Sequence, residues 1–577
     1  MRPALARAVA LGAATALAAL ALAFLLGEAG LGPLGWALGL LVAVNTFWLA
    51  FGAATGLLGL SRRAAPPPEA PFDGTAVLLV PICNEDPAPI FARIAAMDAE
   101  LHLAGLAPRV DVAILSDTRD EAVAAEEARL FARMLEEAAG LGRMFYRRRS
   151  TNRGRKAGNI EDFIRRSGGA YDVAVILDAD SLMSADTIGR MLRRMAADPA
   201  LALLQTVPAI LRARSRFGRM TAFGGALYGP AFARGLARLQ GRTGPFWGHN
   251  AAVRVRAFAE SCGLPELSGP PPFGGHVLSH DHVEAALLAR AGWTVRLDPD
   301  LGGSWEEGPD NILSFARRDR RWCQGNLQHA RILLAPGFRP WSRFALFQGV
   351  AAYVVPPLWL MLVVLGLTAE PAGEGALLLA LLVLGLLFVP KVLIAWGERR
   401  RAEGFGGRLH LLASVVAEAL QSALVAPVLL MFQARSVLQV CLGRDGGWPP
   451  QARGDGPITV AQAWQASWWI ALWGGALFAA GLVEAPALLP WLLPMVLPMA
   501  LAPWVIAWTS RPPASLLFMT PDELSPPTAL RRAEGIGARW ARPAPALAWP
   551  LPSDVGPSPV PAPDADPELV PALTQHA

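Results

Sequence analysis

Apolar segments long enough to cross a bilayer stand at both ends of this 577-residue chain, and a long, mostly polar stretch separates them. Residues 7–26 and 34–60 form the first pair. Further candidates cover 344–368, 375–396, 410–434, 466–485 and 488–508. A composition of 53% hydrophobic against 17% charged residues fits a membrane protein. A secretory signal peptide is the competing account of residues 1–26, but a second apolar run follows within a few residues, which favours a helical hairpin. The expected organisation is a transmembrane hairpin over 1–60 and a cytoplasmic domain with interface helices over 61–342. A transmembrane region over 343–510 and a short Pro/Ala-rich cytoplasmic tail over 511–577 complete it, with residues 546–577 read as flexible.

Positive charge sets the orientation. Arg2 and Arg7 flank the first span, Arg62 and Arg63 follow the second, and Arg399, Arg400, Arg401 and Arg408 separate two later ones. The loops around Glu28 and Glu370–Glu374 lack Lys and Arg, so the large insert faces the cytoplasm. Seven single spans would leave residues 509–577 outside, yet Arg435, Arg444, Arg453 and Arg511 favour the inside. Two accounts of 410–434 follow. It is a re-entrant or broken pair helped by Glu418, Gln421 and Pro427, or an ordinary helix with polar groups packed inward. The net charge of +5 is modest and clustered at membrane edges, so no nucleic acid is expected. Cys83, Cys262, Cys323 and Cys441 have no close metal-ligand spacing and read as ordinary thiols.

Within the insert, β-like runs at 76–82, 110–115, 171–177 and 201–207 alternate with helix-compatible sequence such as 121–139. The pattern predicts an α/β domain with an open sheet, which takes its ligands beyond the strand carboxyl ends. Asp178-Ala179-Asp180 falls at such an end. Alternate side chains in extended backbone point the same way, so Asp178 and Asp180 can share a pocket suited to Mg²⁺ or Mn²⁺ and a bound diphosphate. A solvated loop explains the isolated triplet equally well. Lys156, within RGRKAGN, supplies a cation for phosphates, whereas Arg147, Arg148 and Arg149 serve as contacts or as plain surface charge. Ser279-His280-Asp281 reads as a helix start. Asp281 is either a first-turn acid without chemical duty or a general base for an attacking hydroxyl. Arg318 and Arg321, three apart, can share a helix face and stabilise a departing diphosphate, with Trp322 packed on a sugar. The same segment also suits a basic helix resting on lipid headgroups.

Longer strings are more specific. VPICNEDP, ILSDT, FYRRRS, KAGN, ILDADS, WGHNAAVR, LSHDHVEAALLARAGW and RRDRRWCQGNLQH together resemble processive membrane glycosyltransferases of family 2, such as cellulose, chitin and hyaluronan synthases. The resemblance is closer to the glucosyltransferase H family that makes osmoregulated periplasmic glucans. It implies a GT-A-like cytoplasmic domain inserted between transmembrane helices, in a bacterial inner membrane. UDP-glucose would be the donor and Mg²⁺ or Mn²⁺ the ion, with inverting transfer to a growing β-glucan exported to the periplasm. Asp117 and Lys156 would bind the donor, Asp178 and Asp180 the metal and diphosphate, and Asp281 would be the base. Arg318, Arg321 and Trp322 form an RxxRW version of the QxxRW motif of cellulose synthases. Trp247, Gly248, His249 and Asn250 lie where relatives contact the acceptor. The implied partners are membrane lipid, the glucan itself, a periplasmic glucan-processing protein and acyl carrier protein. The backbone linkage favoured is β-1,2. A transferase adding one sugar to a lipid-linked acceptor, and a noncatalytic glucan-binding or export component, are the alternatives. Trp359, Trp396, Trp464, Trp468, Trp469 and Trp504 would line a carbohydrate path or anchor at the interface.

Overall fold

A computed structural model describes residues 2–29, 32–61, 65–137, 142–368, 374–445, 456–513 and 516–541. Arg62, Arg63, Arg453, the segment 369–373 and the tail 546–577 lie outside the described residues. The insert contains ten strands: β1 (Ala76–Ile82), β2 (Val110–Ser116), β3 (Met144–Arg148), β4 (Val173–Ile176), β5 (Leu182–Met183), β6 (Leu201–Gln205), β7 (Ala209–Leu211), β8 (Ala251–Arg254), β9 (Thr294–Leu297) and β10 (Ser304–Glu307). Seven form one sheet in the order β3-β2-β1-β4-β8-β6-β9. All pairs are parallel except those made by β8, which runs antiparallel to β4 and β6. Every residue of β1 is buried, as an apolar strand covered by helices on both faces requires. A smaller sheet, β5-β10-β7, includes the strand β5 that follows Asp178-Ala179-Asp180 in the chain.

The four expected strands are present within a few residues of their anticipated ends. β3, β8 and β9 add to them. In β3, Arg147 interrupts the apolar pattern but is itself buried, with its guanidinium on Asp162 and on Asn159 Oδ1. The helix Glu121–Glu137 begins where the Asp120 carboxylate accepts from the amides of Ala122 and Val123.

Membrane helices flank this domain. Among the described residues six are long and apolar enough to cross: Pro3–Gly27, Pro33–Leu58, Pro340–Gly366, Leu377–Phe405, Arg408–Cys441 and Val460–Glu484. A seventh unit, Leu489–Ala500 with Ala502–Thr509, is bent by 67°. The domain meets the bilayer through the helices Arg216–Leu227 and Gly229–Gln240. Arg234 Nε donates to the Gly59 carbonyl (2.9 Å) and Arg238 to that of Leu58, satisfying the end of the second span. The backbones approach so closely that a Cβ on Gly235 would lie 1.8 Å from the Thr55 oxygen, and one on Gly59 would lie 1.7 Å from that of Ala231. Arg7 reaches the Leu239 and Gln240 carbonyls and stacks 4.2 Å over Trp341. These contacts hold the α/β domain on the arginine-rich cytoplasmic face of a multi-pass membrane protein.

The parity problem centres on Arg408–Cys441. It is a continuous helix of 34 residues, not a broken pair. At its start, Ser414 Oγ accepts from the Phe518 amide (3.0 Å); midway, Gln421 donates to the Arg216 carbonyl (3.1 Å). At its end, Arg320 donates to the Arg444 carbonyl (2.7 Å) and Gln324 to Asp445 (2.8 Å). Both ends therefore contact the α/β domain or the segment folded over it. Glu418 and Gln421 face protein, with Glu418 paired to Lys391 (2.8 Å), while Leu409, Leu412, Val416 and Leu420 form an exposed stripe. Val460–Glu484 and the bent pair then form a hairpin, because the Ile458 amide bonds Ser510 Oγ (2.9 Å). Arg7, on the Leu239 carbonyl, and the segment 516–541 both contact the domain.

The expected tail over 511–577 needs correction. Residues 516–541 fold back over the domain. Phe518 packs against Phe223 and Phe405, and Asp522 accepts from Trp305 Nε1 (3.2 Å). The helix Thr528–Trp540 buries Ala529, Ala533, Ile536 and Trp540 in the core under β1. Its apolar positions recur at helical spacing, which the proline-rich surroundings disguise.

Single cysteines placed at Arg408 and Arg444 in a cysteine-free background should both react with an impermeant maleimide from the cytoplasmic side only. Labelling of position 444 from the opposite side would mean that this helix crosses the bilayer. Trp540→Ala should cost about 3 kcal/mol of stability through the cavity it leaves, read as a lowered melting temperature in detergent.

Candidate active site

A cleft of about 670 Å³ opens between the domain and the membrane helix Pro340–Gly366. Its lining brings together Lys156, Asp178, Trp247, Gly248, His249, Asp281, Arg318 and Trp322. These residues come from five separated strings, and each reaches the cleft for a local reason. Asp178 follows β4 by two residues, and its amide is tied to Ser181 Oγ (2.8 Å). Lys156 lies in the first turn of the helix Arg155–Ser167. Its ammonium bonds the Asp178 carboxylate and the Gly248 carbonyl (2.7 Å). Gly248, at φ +84°, lets its backbone pass beside Asp281, whose Oδ2 would sit 3.6 Å from a Cβ there. Lys156, Asp178, Gly248 and Asp281 thus form one continuous wall.

Asp281 sits in the first turn of the helix His280–Arg290, where a carboxylate is favoured by the exposed amides. Burial raises its carboxyl, but the charges of His282, His280 and His329 outweigh that and hold it well below the ordinary carboxylate range. His282 Nδ1 lies 3.4 Å from Asp281 Oδ1. Burial pulls both His280 and His282 down, and their carboxylate partners Glu284 and Asp281 raise them overall. His329, buried and bonded through Nε2 to the Ser279 carbonyl (2.9 Å), is pushed down to about 4. The carboxylate is therefore ionised at neutral pH and able to take a proton.

The helix Ile312–Gln328 starts where Asn311 Oδ1 accepts from the Ser314 amide (2.8 Å). Its phase pairs Arg318 with Trp322, one turn on, with the guanidinium 4.4 Å from the ring centre. Arg321 stands outside the cleft lining. Trp322 is 38% exposed, open to a ligand on its other face. Asp319 Oδ1 accepts from Tyr353 (3.0 Å), fixing this helix to the membrane helix that closes the cleft.

Three expected residues sit differently. Asn250 is fully buried, with its amide on Ser304 Oγ (2.8 Å) and the Trp305 carbonyl (3.1 Å), so it supports the wall instead of presenting a contact. Asp117 is buried under Arg149, which donates from Nε and Nη2 at 2.7 Å each; burial raises its carboxyl even so. Asp180 is buried and is not part of the cleft lining. The tryptophans Trp396, Trp464, Trp468 and Trp504 lie on the outer surface and line no part of the cleft. Glu306, from β10, does line it and carries no motif that sequence reading could recognise.

Among the described residues no group of three or more His, Cys, Asp or Glu is disposed to hold a metal. Mg²⁺ needs no such group, since it characteristically takes one or two carboxylates and completes its shell with phosphates and water. The hard oxygens of Asp178 and Asp180 fit that use.

A mixed sheet with acids at its strand ends, set against membrane helices around an Arg–Trp pair, defines a membrane-bound glycosyltransferase of family 2. The family profile described as "Glycosyl transferase family group 2" matches residues 173–394. A "Glucans biosynthesis glucosyltransferase H" of Cereibacter sphaeroides is 54% identical over 533 residues, covering 88% of this chain and 90% of that one. Proteins of the same name from Vibrio cholerae and Caulobacter vibrioides are 39% and 38% identical, covering 81% and 91% of this chain and 69% and 83% of theirs. The chain belongs to the glucans biosynthesis glucosyltransferase H family.

Replacing His282 with Asn removes one of the charges that depress Asp281. The carboxylate should then take up its proton at a higher pH, and the acid limb of the kcat/KM profile should move up. An unmoved limb in that variant would show that Asp281 does not govern it.

Proposed function

We propose that the chain transfers glucose from UDP-glucose, with inversion, to a growing β-glucan, processively and with export to the periplasm for osmoregulated periplasmic glucan synthesis. The observation that carries this reading is the shared wall: Lys156 holds Asp178 on one side and the Gly248 carbonyl on the other, and Gly248 abuts Asp281. A donor-phosphate end and a proton-accepting end are thereby joined in one cleft that opens onto a membrane helix.

In the proposed reaction the acceptor hydroxyl oxygen attacks the anomeric carbon while the bond from that carbon to the diphosphate oxygen breaks. Asp281 accepts the hydroxyl proton, and UDP departs with the bonding pair. A single displacement converts an α-linked donor into a β-linked product. Lys156 and Arg318 offset charge gathering on the leaving diphosphate. A divalent ion held by Asp178 and Asp180 would neutralise that charge further. Asp117, gripped by Arg149, positions the loop that receives the nucleotide, and Arg321 adds positive field from outside the cleft. Trp322 offers a face to the acceptor sugar, with Trp247 and His249 beside it. Gln348, Gly349 and Tyr353 of the membrane helix line the same cleft, which supports passage of the product into the membrane region. The backbone linkage proposed is β-1,2. A periplasmic glucan-processing protein would receive the product, and acyl carrier protein is retained as a proposed partner from the family resemblance.

Inverted membrane vesicles given labelled UDP-glucose and Mg²⁺ should accumulate long glucan inside, and linkage analysis should return 2-substituted glucose. Products limited to single-sugar lipids would replace this reading with the lipid-acceptor one. Asp281→Asn should lower turnover about 10²–10⁴-fold while leaving membrane insertion intact. Near-normal transfer by that variant would remove Asp281 as the base.

A further inference from the structure

Three carboxylates line the cleft, Asp178, Asp281 and Glu306, and the reaction above uses only the first two. Glu306 is placed by strand alternation. Its neighbours Trp305 and Glu307 point to the other face of β10, where each is held. Trp305 Nε1 donates to Asp522, and Glu307 accepts from Arg93 Nη2 (2.5 Å). The same Arg93 donates through Nη1 to the carbonyl of Ala179 (3.0 Å), the middle residue between Asp178 and Asp180. Trp305 pairs with Leu182 of β5 and Ala209 of β7. The backbone carrying Glu306 is thus registered directly to the strand end that bears the donor-side aspartates.

Inside the cleft, Glu306 Oε2 lies 3.5 Å from His249 Nε2 and 3.7 Å from Arg318 Nη2. Both separations exceed an ordinary hydrogen bond, so the carboxylate keeps acceptor capacity for a hydroxyl that approaches it from the cleft. Burial raises the Glu306 carboxyl; His249 and Arg318 pull it down, and Asp180 and Asp178 are near enough to push it up. Its position is intermediate: the aspartates mark the diphosphate end, and Trp322, on which Arg318 stacks, marks the acceptor side.

We propose that Glu306 reads the hydroxyls of the transferred hexose, accepting hydrogen bonds from them while His249 and Arg318 hold it in place. The inference rests on the cleft being a nucleotide-sugar transferase site, and it makes Glu306 a specificity-determining residue. A buried polar group built to bond a hydroxyl rejects sugars that fail to supply it, because the group is then left unpaired.

The test compares the full-length wild type with Glu306→Gln and Glu306→Asp in membrane vesicles. Rates are measured with UDP-glucose, UDP-galactose and UDP-xylose, and UDP is titrated as an inhibitor. Glu306→Gln should lower kcat/KM for UDP-glucose about 100-fold and shrink its preference over UDP-galactose about tenfold or more. Inhibition by UDP should stay within about twofold, which also reports an intact fold, and Glu306→Asp should recover part of the preference. An unchanged sugar preference would overturn the inference, as would UDP inhibition weakened in step with transfer. A wild type that ignores UDP-glucose would refute the donor assignment instead, and the same comparison with the sugar it does use would then judge Glu306.

Discussion

The close approach of Gly235 to Gly59 sets the geometry of everything around it. An interface helix can lie directly on the end of a membrane span only where neither backbone carries a side chain at the crossing. Arg234 and Arg238 then satisfy carbonyls that the end of that span leaves without helical partners. Because this helix runs on to Gln240, it brings one wall of the cleft to the membrane surface. The catalytic domain is built onto the bilayer-facing helices, and its cleft has a membrane helix for a side.

A second feature is how little of the site belongs to any one segment. Lys156, Gly248 and Asp281 are far apart in the chain, yet a lysine, a carbonyl and a glycine Cα carry the contact from phosphate end to base. Asp281 gains its charge state chiefly from His282 and His280, each near enough to oppose the cost of burying a carboxylate. Such an arrangement holds a weak base reliably ionised. Strong basicity is not required where the attacking hydroxyl is held in place and the leaving group is charge-stabilised.

Much of this was legible in the linear chain, and the exceptions have physical causes. Strand-end acids declare themselves because an apolar run stops abruptly at a carboxylate, as at Asp178 and Asp117. Arg318 and Trp322 were visible, but their pairing required the helix phase that Asn311 sets, which moved attention away from Arg321. Asn250 looked like a contact because it adjoins His249, yet at φ +50°, just ahead of β8, its side chain turns inward to Ser304. Glu306 gave no signal, since its meaning comes from His249 and Arg318, which only the fold brings near. The helix Arg408–Cys441 showed its polar residues plainly; what hydropathy cannot convey is that both its ends contact the α/β domain or the segment folded over it. Hydropathy reports burial from water and is blind to whether the cover is lipid or protein.

The strap formed by residues 516–541 bears on how the protein is made. Ala529, Ala533, Ile536 and Trp540 complete a core whose other members, around β1, are synthesised several hundred residues earlier. On the ribosome, that core must wait with an open face until every intervening membrane helix has been translated. Asp522 reaches Trp305 only at the same late moment, and Trp305 adjoins both Glu306 and the carbonyl that holds Asn250. The cleft is therefore finished last. A chain whose membrane segments stalled would carry a domain with that face of its core unsealed.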